Sequence, residues 1–413
     1  MTRAKTGLKL RQPIPAGVSE TTGISAAGGI AVRVDGSWLL VQGESQRVST
    51  DRGRSWSAAE PLPARIPAGG LLRLQSGALA IYGTRDRLTC FSSSADDGLT
   101  WSEPVAVGAD PNFRPMFHSL IQLGSGRLLL TGYCGAYYSW DYENGTMVSV
   151  HPDLQYDDVM AAGSWRGQRI PLEGHGHAPE MGMTVVYRSD DDGASWTKHR
   201  GALMGWFDFQ GIPNGECGQT ACFEPTLAET RDGNVLLLAR STVGRLVQSF
   251  SPDAGEHWYA VVPADLCSSE SPGIMVTLPS TGDLLLVWNQ VSRDEIRRGY
   301  RRGRLSSAVS TDGGHSWAHF KTLEVSDGLE DITRLPPEYP ISMVRARDWV
   351  GPLPDGWAYF HYANLDVVND TVVLRYSRGG PLLGLAEQNL QQQESVLRVY
   401  PANWFYQPDT NGG

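Results

Sequence analysis

One short pattern recurs five times along the chain: Ser, any residue, Asp, any, Gly, any, a hydroxyl residue, Trp. The copies run from Ser49 to Trp56, Ser94 to Trp101, Ser189 to Trp196, Ser251 to Trp258 and Ser310 to Trp317. The fourth alone departs, with His257 in the hydroxyl position. The chemistry of the pattern is structural. The Asp accepts hydrogen bonds from nearby backbone N–H groups and holds a tight turn. The Gly supplies a positive φ, and the Trp lays a large apolar face against a neighbouring sheet. Such repeats point to an array of similar units, each covering its neighbour.

A second repeat accompanies the first: an apolar strand, a turn, then another apolar strand. Its copies run from Gly28 to Leu40, Gly69 to Tyr82, Ser119 to Thr131, Pro225 to Ala239, Pro272 to Trp288 and Pro340 to Tyr362. Turns such as Ser125-Gly126 and Asp232-Gly233 make each a β-hairpin. Six hairpins predict an all-β, six-bladed β-propeller, with the Trp-ended turns on the outer hairpins of blades one to five. The alternating stretch Val396 to Tyr400 is expected to pair with the N-terminal region and close the ring, leaving few free edges. The whole chain, 1–413, reads as one propeller domain interrupted in its third blade by an insertion at about 133–182. That length far exceeds an ordinary connection of about 4–6 residues. Its aromatics, among them Tyr137, Tyr138, Trp140 and Trp165, suit a ligand site, a surface flap or a subunit contact.

Composition agrees with a turn-rich β protein: 47 Gly, 25 Pro and 13 Trp in 413 residues. A formal net charge of −10 argues against a nucleic-acid or acidic-membrane surface. The 5 cysteines are odd in number and lack CxxC spacing, which disfavours a disulfide framework or zinc ribbon. There is no apolar run of about 18 residues. Met1 to Leu10 is basic without an apolar core, so the chain as written reads as cytoplasmic. His175 and His177, near Glu173 and Glu180, lack further ligand spacing and read as a polar loop. No metal or cofactor is implied.

The turns and hairpins together resemble the Asp-box (BNR) repeats of the sialidase, or neuraminidase-like, superfamily, from about Gly28 to about Tyr362. The resemblance implies a six-bladed propeller with its site at one end of the axis. It also implies three arginines that bind a substrate carboxylate, a tyrosine nucleophile, a glutamate that polarises it and an aspartate acid. This is one of the exceptions to carboxylate-pair glycosidase chemistry. Glu224, opening the fourth hairpin in Glu224-Pro225-Thr226-Leu227, is similar to the family glutamate. Arg240, closing that hairpin, is similar to the second arginine, and Arg302, ahead of the fifth turn, to the third. Arg304 takes that place if the register slips by two. Tyr339, in Glu338-Tyr339-Pro340-Ile341, resembles the nucleophile.

The resemblance fails in the first blade, which opens Ser25-Ala26-Ala27-Gly28 with no arginine. Arg65, in Arg65-Ile66-Pro67, looks like the missing motif but opens the second hairpin out of register. Asp86, after the second hairpin, is a candidate acid or the ion-pair partner of its flanking arginines. His118, opening the third hairpin, is a candidate general acid or base, or a strand-end histidine.

These residues suit an exo-acting glycoside hydrolase that removes a terminal acidic sugar, sialic acid-like or uronic. A carboxylate beside a phenol of pKa about 10 can take its proton and activate it, and guanidinium groups clamp a carboxylate. Two alternatives stand beside it: a polysaccharide lyase acting by β-elimination at uronic acids, and a non-catalytic glycan-binding propeller. The expected partner is a carbohydrate substrate of acidic character, with no nucleic acid and no membrane.

Overall fold

The computed structural model describes residues 14–85, 88–108, 116–135, 138–141, 146–149, 154–158, 162–165, 168–171, 182–199, 201–206, 219–339, 341, 344, 357–380 and 393–408. Six four-stranded sheets are arranged as a β-propeller. From the axis outward, blade one is Gly29–Val32, Trp38–Gln42, Ser45–Ser49 and Glu60–Pro61. Blade two is Gly70–Arg73, Leu79–Arg85, Leu88–Ser94 and Val105–Gly108. Blade three is Met116–Gln122, Leu128–Gly135, Gly182–Ser189 and Thr197–Lys198. Blade four is Phe223–Glu229, Val235–Arg240, Arg245–Ser251 and Val262–Cys267. Blade five is Ile274–Thr277, Leu284–Asn289, Arg304–Ser310 and Ala318–Val325. Blade six is Tyr359–Val368, Thr371–Gly379, Glu394–Pro401 and, outermost, the N-terminal strand Ser19–Thr22.

The innermost strands touch one another in sequence around the ring. They enclose an axial cavity of about 650 Å³, walled mainly by apolar side chains such as Leu72, Ile121 and Val276. The hydrophobic core lies between blades. Leu39 and Val41 of blade one meet Leu79 and Ile81 of blade two. At the far end of the ring, Leu40 of blade one meets Val373 and Leu397 of blade six. Each buried aliphatic side chain contributes about 1.5–3 kcal/mol, so ring closure and core formation are one process.

The repeated turns explain how adjacent blades come so close. In the first, the Ser49 hydroxyl accepts from the Gly53 N–H at 2.8 Å. Asp51 accepts from the Ser55 N–H at 2.8 Å and from its hydroxyl at 2.6 Å. His257 fits the fourth copy because its N–H reaches Asp253 at 2.8 Å and its ring nitrogen at 2.7 Å, replacing the hydroxyl. The glycine serves twice. Gly193 has φ 90°, and a Cβ there would fall 2.1 Å from Phe91 of the preceding blade.

The ring closes as expected, with Ser19–Thr22 antiparallel to Glu394–Pro401. Glu20 of the closing strand pairs with Arg398 at 2.8 Å and Arg378 at 3.1 Å, beside buried Glu324. The sixth hairpin differs from the expectation of Pro340 to Tyr362. It is built from Tyr359–Val368 and Thr371–Gly379, joined at Asn369 and Asp370. Its turn uses Asn369 at φ 55° instead of a glycine, because Asn tolerates the left-handed region. The insertion carries a hairpin, Tyr138–Asp141 with Thr146–Ser149, and a three-stranded sheet, Leu154–Asp158, Ala162–Trp165 and Gln168–Pro171.

Candidate active site

Two innermost strands are bulged near the same end of the propeller. In blade four, Phe223 pairs with Arg240 and Thr226 with Leu238, which leaves Glu224 and Pro225 opposite Ala239 alone. In blade six, His361 pairs with Ser377 and Asn364 with Arg375, which leaves Tyr362 and Ala363 opposite Tyr376 alone. Glu224 and Tyr362 have φ of 45° and 51°. Non-glycine residues hold such angles only where their surroundings over-determine them, and a bulge of this kind re-aims a side chain. In blade three the register also slips at His118, between Phe117 and Ser119.

Arg240 joins this end together. Its Nη1 donates to Glu224 Oε2 at 3.0 Å and its Nη2 to Glu270 Oε1 at 3.1 Å. All three side chains are largely buried. Burial works against the Arg240 charge, but Glu224 and Glu270, with Tyr362 also in electrostatic reach, outweigh it and hold the guanidinium above its ordinary range. Its Nε is buried without a hydrogen-bond partner among the described residues.

Arg302 lies over the Tyr362 ring, its Cζ 5.0 Å from the ring centroid. Its Nη1 is 3.1 Å from His361 Nδ1, and His361 Nε2 is 2.9 Å from Gln393 Oε1. A guanidinium has only donors, so Nδ1 must accept, and the imidazole proton sits on Nε2 facing the Gln393 oxygen. Burial, and then the Arg302 charge, push the His361 pKa down to about 3. Glu224, Arg240 and Glu270 form one bonded group, and Arg302, Tyr362 and His361 form another, with Tyr362 in electrostatic reach of Arg240.

Other residues expected at the site lie elsewhere. Tyr339 does not open the innermost strand of blade six, a place that belongs to the segment around Tyr362. It is 76% exposed, stacked on Arg245 at 4.3 Å with its hydroxyl 3.4 Å from that guanidinium. Arg304 is fully buried and bonds Glu295 through both terminal nitrogens, at 2.8 and 3.1 Å. No ligand can reach it, and it braces the loop that carries Arg302. Arg65 is an exposed partner of Glu103. Asp86 and the His118 side chain lie outside the described residues. Where the first-blade arginine is missing, buried Arg375 donates to the Ala27 and Gly28 carbonyls at 2.6 and 2.9 Å and to Asp366 at 2.7 Å, so it braces backbone.

Sequence reasoning missed Tyr362, Glu270, His361 and Gln393. Tyr362 stands before Asp370 at the spacing that separates Glu224 from Asp232, a signal hidden by the glycine-free turn. Glu270 and Gln393 precede strands in segments without a motif.

No curated protein matches the chain. Among solved structures, a protein of unknown function from Dyadobacter fermentans superposes with a TM-score of 0.51 at 13% identity, over 93% of this chain and 99% of that one. An α-L-arabinanase from Penicillium chrysogenum, complexed with arabinobiose, gives 0.49 at 12% identity, over 93% and 99%. A mutant Trypanosoma rangeli sialidase displaying trans-sialidase activity gives 0.44 at 12% identity, over 94% of this chain and 59% of that one. Residues 83–370 match the BNR repeat-like domain family. With the five turns and the six blades already described, this makes the chain a member of the BNR repeat-like domain family.

Proposed function

We propose that this protein is a glycoside hydrolase acting on an acidic sugar, with Tyr362 as nucleophile and Glu224 as the base that activates it. One observation carries the reading. Two blades present Glu224 and Tyr362 from equivalent strained bulges, with Arg240 bonded to Glu224 and Arg302 against the Tyr362 ring. Glu224 takes the phenolic proton, directly or through water, and the phenolate oxygen attacks the anomeric carbon as the aglycone departs with a proton from an acid. Water then attacks the glycosyl-tyrosine and releases the sugar. His118 and Asp86 are the residues the sequence offers as proton donor. The arginines bind the sugar's acidic group. The resemblance of the Asp-box turns to those of sialidases favours the same chemistry, and the absent first arginine widens the substrate class to uronic acids.

The test is a panel of sialosides and uronic acid-containing oligosaccharides, followed by reducing-end assay and by ultraviolet absorbance. Release of reducing sugar without a new absorbance supports hydrolysis. An ultraviolet product shows a double bond and hence elimination. No turnover on any acidic glycan leaves the binding module as the function.

A further inference from the structure

We propose that Tyr339 is a stacking platform for a further sugar ring of the substrate, beyond the sugar held at the Glu224 and Tyr362 end. This rests on reading the protein as one that acts on a carbohydrate, and it adds that the carbohydrate is a chain of sugars.

Tyr339 shares its end of the propeller with the site. It stacks on Arg245, which opens the third strand of blade four. Arg240 closes the second strand of that blade, and Glu224 lies at the start of the first. All three positions therefore stand at one end of the sheet. Of the exposed tyrosines among the described residues, Tyr259 follows the fourth Asp-box turn at the opposite end, and Tyr362 belongs to the site itself. The segment Cys267 to Glu270 joins Tyr339's support to the site. Cys267 is the register partner of Arg245, the Ser268 N–H donates to the Gly244 carbonyl at 3.0 Å, and Glu270 bonds Arg240 at 3.1 Å. Three residues of chain span at most about 11 Å. One oligosaccharide can fill the site and continue along this segment to Tyr339.

The ring is exposed yet held. Buried Arg245 lies under one face, its Cζ 4.3 Å from the centroid, and its Nη1 is 3.4 Å from the Tyr339 hydroxyl. The same guanidinium donates through Nη2 to the Glu338 carbonyl at 2.6 Å, so it fixes the peptide as well as the ring. The Glu338 carboxylate accepts from the Arg293 N–H at 3.1 Å, at the start of the helix Arg293–Arg297. An exposed side chain ordinarily turns freely and loses that freedom when a ligand covers it. Here much of that cost is already met in folding, while the face away from Arg245 stays open. A pyranose presents apolar C–H bonds on its face and hydroxyls at its edge. A fixed tyrosine matches both, with a broad apolar face and a hydroxyl at its rim.

The experiment measures binding by titration calorimetry in the Tyr362→Phe background, which prevents turnover. Three monosaccharides are each set beside a longer ligand: D-galacturonate and trigalacturonate, D-glucuronate and a hyaluronate tetrasaccharide, N-acetylneuraminate and 3′-sialyllactose. Tyr339, Tyr339→Phe and Tyr339→Ala are compared, with thermal unfolding as the check on folding. At least one longer ligand should bind more tightly than its monosaccharide by about tenfold or more, the scale of one buried aromatic contact. Tyr339→Ala should remove most of that advantage and leave monosaccharide binding within about twofold. Tyr339→Phe keeps the ring and should keep the advantage. A merely structural role for Tyr339 would instead weaken both members of a pair together and lower the unfolding temperature. The inference is overturned by that result, by an advantage that survives in folded Tyr339→Ala, or by the absence of any advantage for a longer ligand; each leaves the acidic-sugar reading standing. No binding of any ligand in the set overturns both.

Discussion

Glu224 and Tyr362 occupy equivalent bulges two blades apart, at φ of 45° and 51°, and Arg240 is bonded to the first and in electrostatic reach of the second. This pairing replaces the one expected between Glu224 and Tyr339, whose ring lies on Arg245. The two tyrosines therefore separate cleanly. Tyr362→Phe removes the attacking oxygen and should lower kcat by about a thousandfold or more, leaving binding of the acidic sugar within a few-fold. Tyr339→Phe removes an exposed hydroxyl outside the group and should leave kcat/KM within about threefold. Steady-state kinetics on the best substrate of the glycan panel reads both. Loss of turnover in Tyr339→Phe alone would return the nucleophile's role to that residue.

The Glu224–Arg240–Glu270 triad should matter as much for stability as for chemistry. Arg240→Met removes the cation that bonds both buried carboxylates. Breaking a buried pair on one side costs about 3–5 kcal/mol, so the midpoint of urea unfolding should fall sharply. Glu270→Gln keeps a hydrogen-bond acceptor for Nη2 and leaves Glu224 as the counter-charge, and should cost about 1–2 kcal/mol. Equal midpoints for these two variants would show that Arg240 is not the bridge the distances describe.

The scaffold was legible because it repeats. A turn such as Ser49 to Trp56 records its own hydrogen bonds in its residue types, and five copies make the ring a matter of counting. The strand Val396 to Tyr400 was legible as the closing partner for a related reason: it alternates and has no hairpin mate nearby. The site was legible in part. Glu224, Arg240 and Arg302 flank hairpins or turns whose glycines set a register to count from. Tyr362 was hidden because its hairpin turns at Asn369 and Asp370, with no glycine from which to count a register. Arg302 and Arg304 are indistinguishable by spacing, since they stand two residues apart at the start of the same strand. Only burial separates them: Arg304 faces Glu295 in the interior, and Arg302 faces a histidine whose partner, Gln393, lies in a different part of the chain. Contacts between distant segments leave no period in a sequence.

Acid should destabilise the fold in two windows, each with its own cause. Burial and Arg302 push the His361 pKa down to about 3 in the native state, against about 6.5 in an unfolded chain. Above pH 6.5 the ring is neutral in both states and has no effect. Below it the unfolded state takes up a proton that the native state refuses, so stability falls as pH falls, until about pH 3. At pH 5 the loss from this one residue is about 2 kcal/mol. Asp51 and Asp96 act lower down. Hydrogen bonds from Ser55 and Thr100 hold each at about 2, so their contribution is complete above the ordinary carboxylate range and is lost as pH falls toward 2. Urea unfolding of wild type and His361→Gln at pH 7 and pH 5 separates the windows. The wild type should lose more between those values than the variant does, and parallel losses would show that His361 titrates normally.

The repeated glycines make a sharper prediction than their conformation alone would. Gly193 and Gly233 have similar positive φ, 90° and 83°, so alanine strains both by about 1 kcal/mol. Their surroundings differ. A Cβ at Gly233 meets nothing within 4 Å, whereas one at Gly193 lies 2.1 Å from Phe91 Cε1 and 2.5 Å from Cδ1. Phe91 is buried in the cluster that joins blades two and three and also touches Trp196, with ring centroids 5.4 Å apart. It has little room to turn away, so the two blades must separate. Gly233→Ala should therefore cost about 1 kcal/mol. Gly193→Ala should add an overpacking cost of about 1–3 kcal/mol and increase amide exchange in strands on both sides of the blade two–three junction. Equal losses of stability in the two variants would mean that the glycine is required for its φ and that blade spacing does not depend on it.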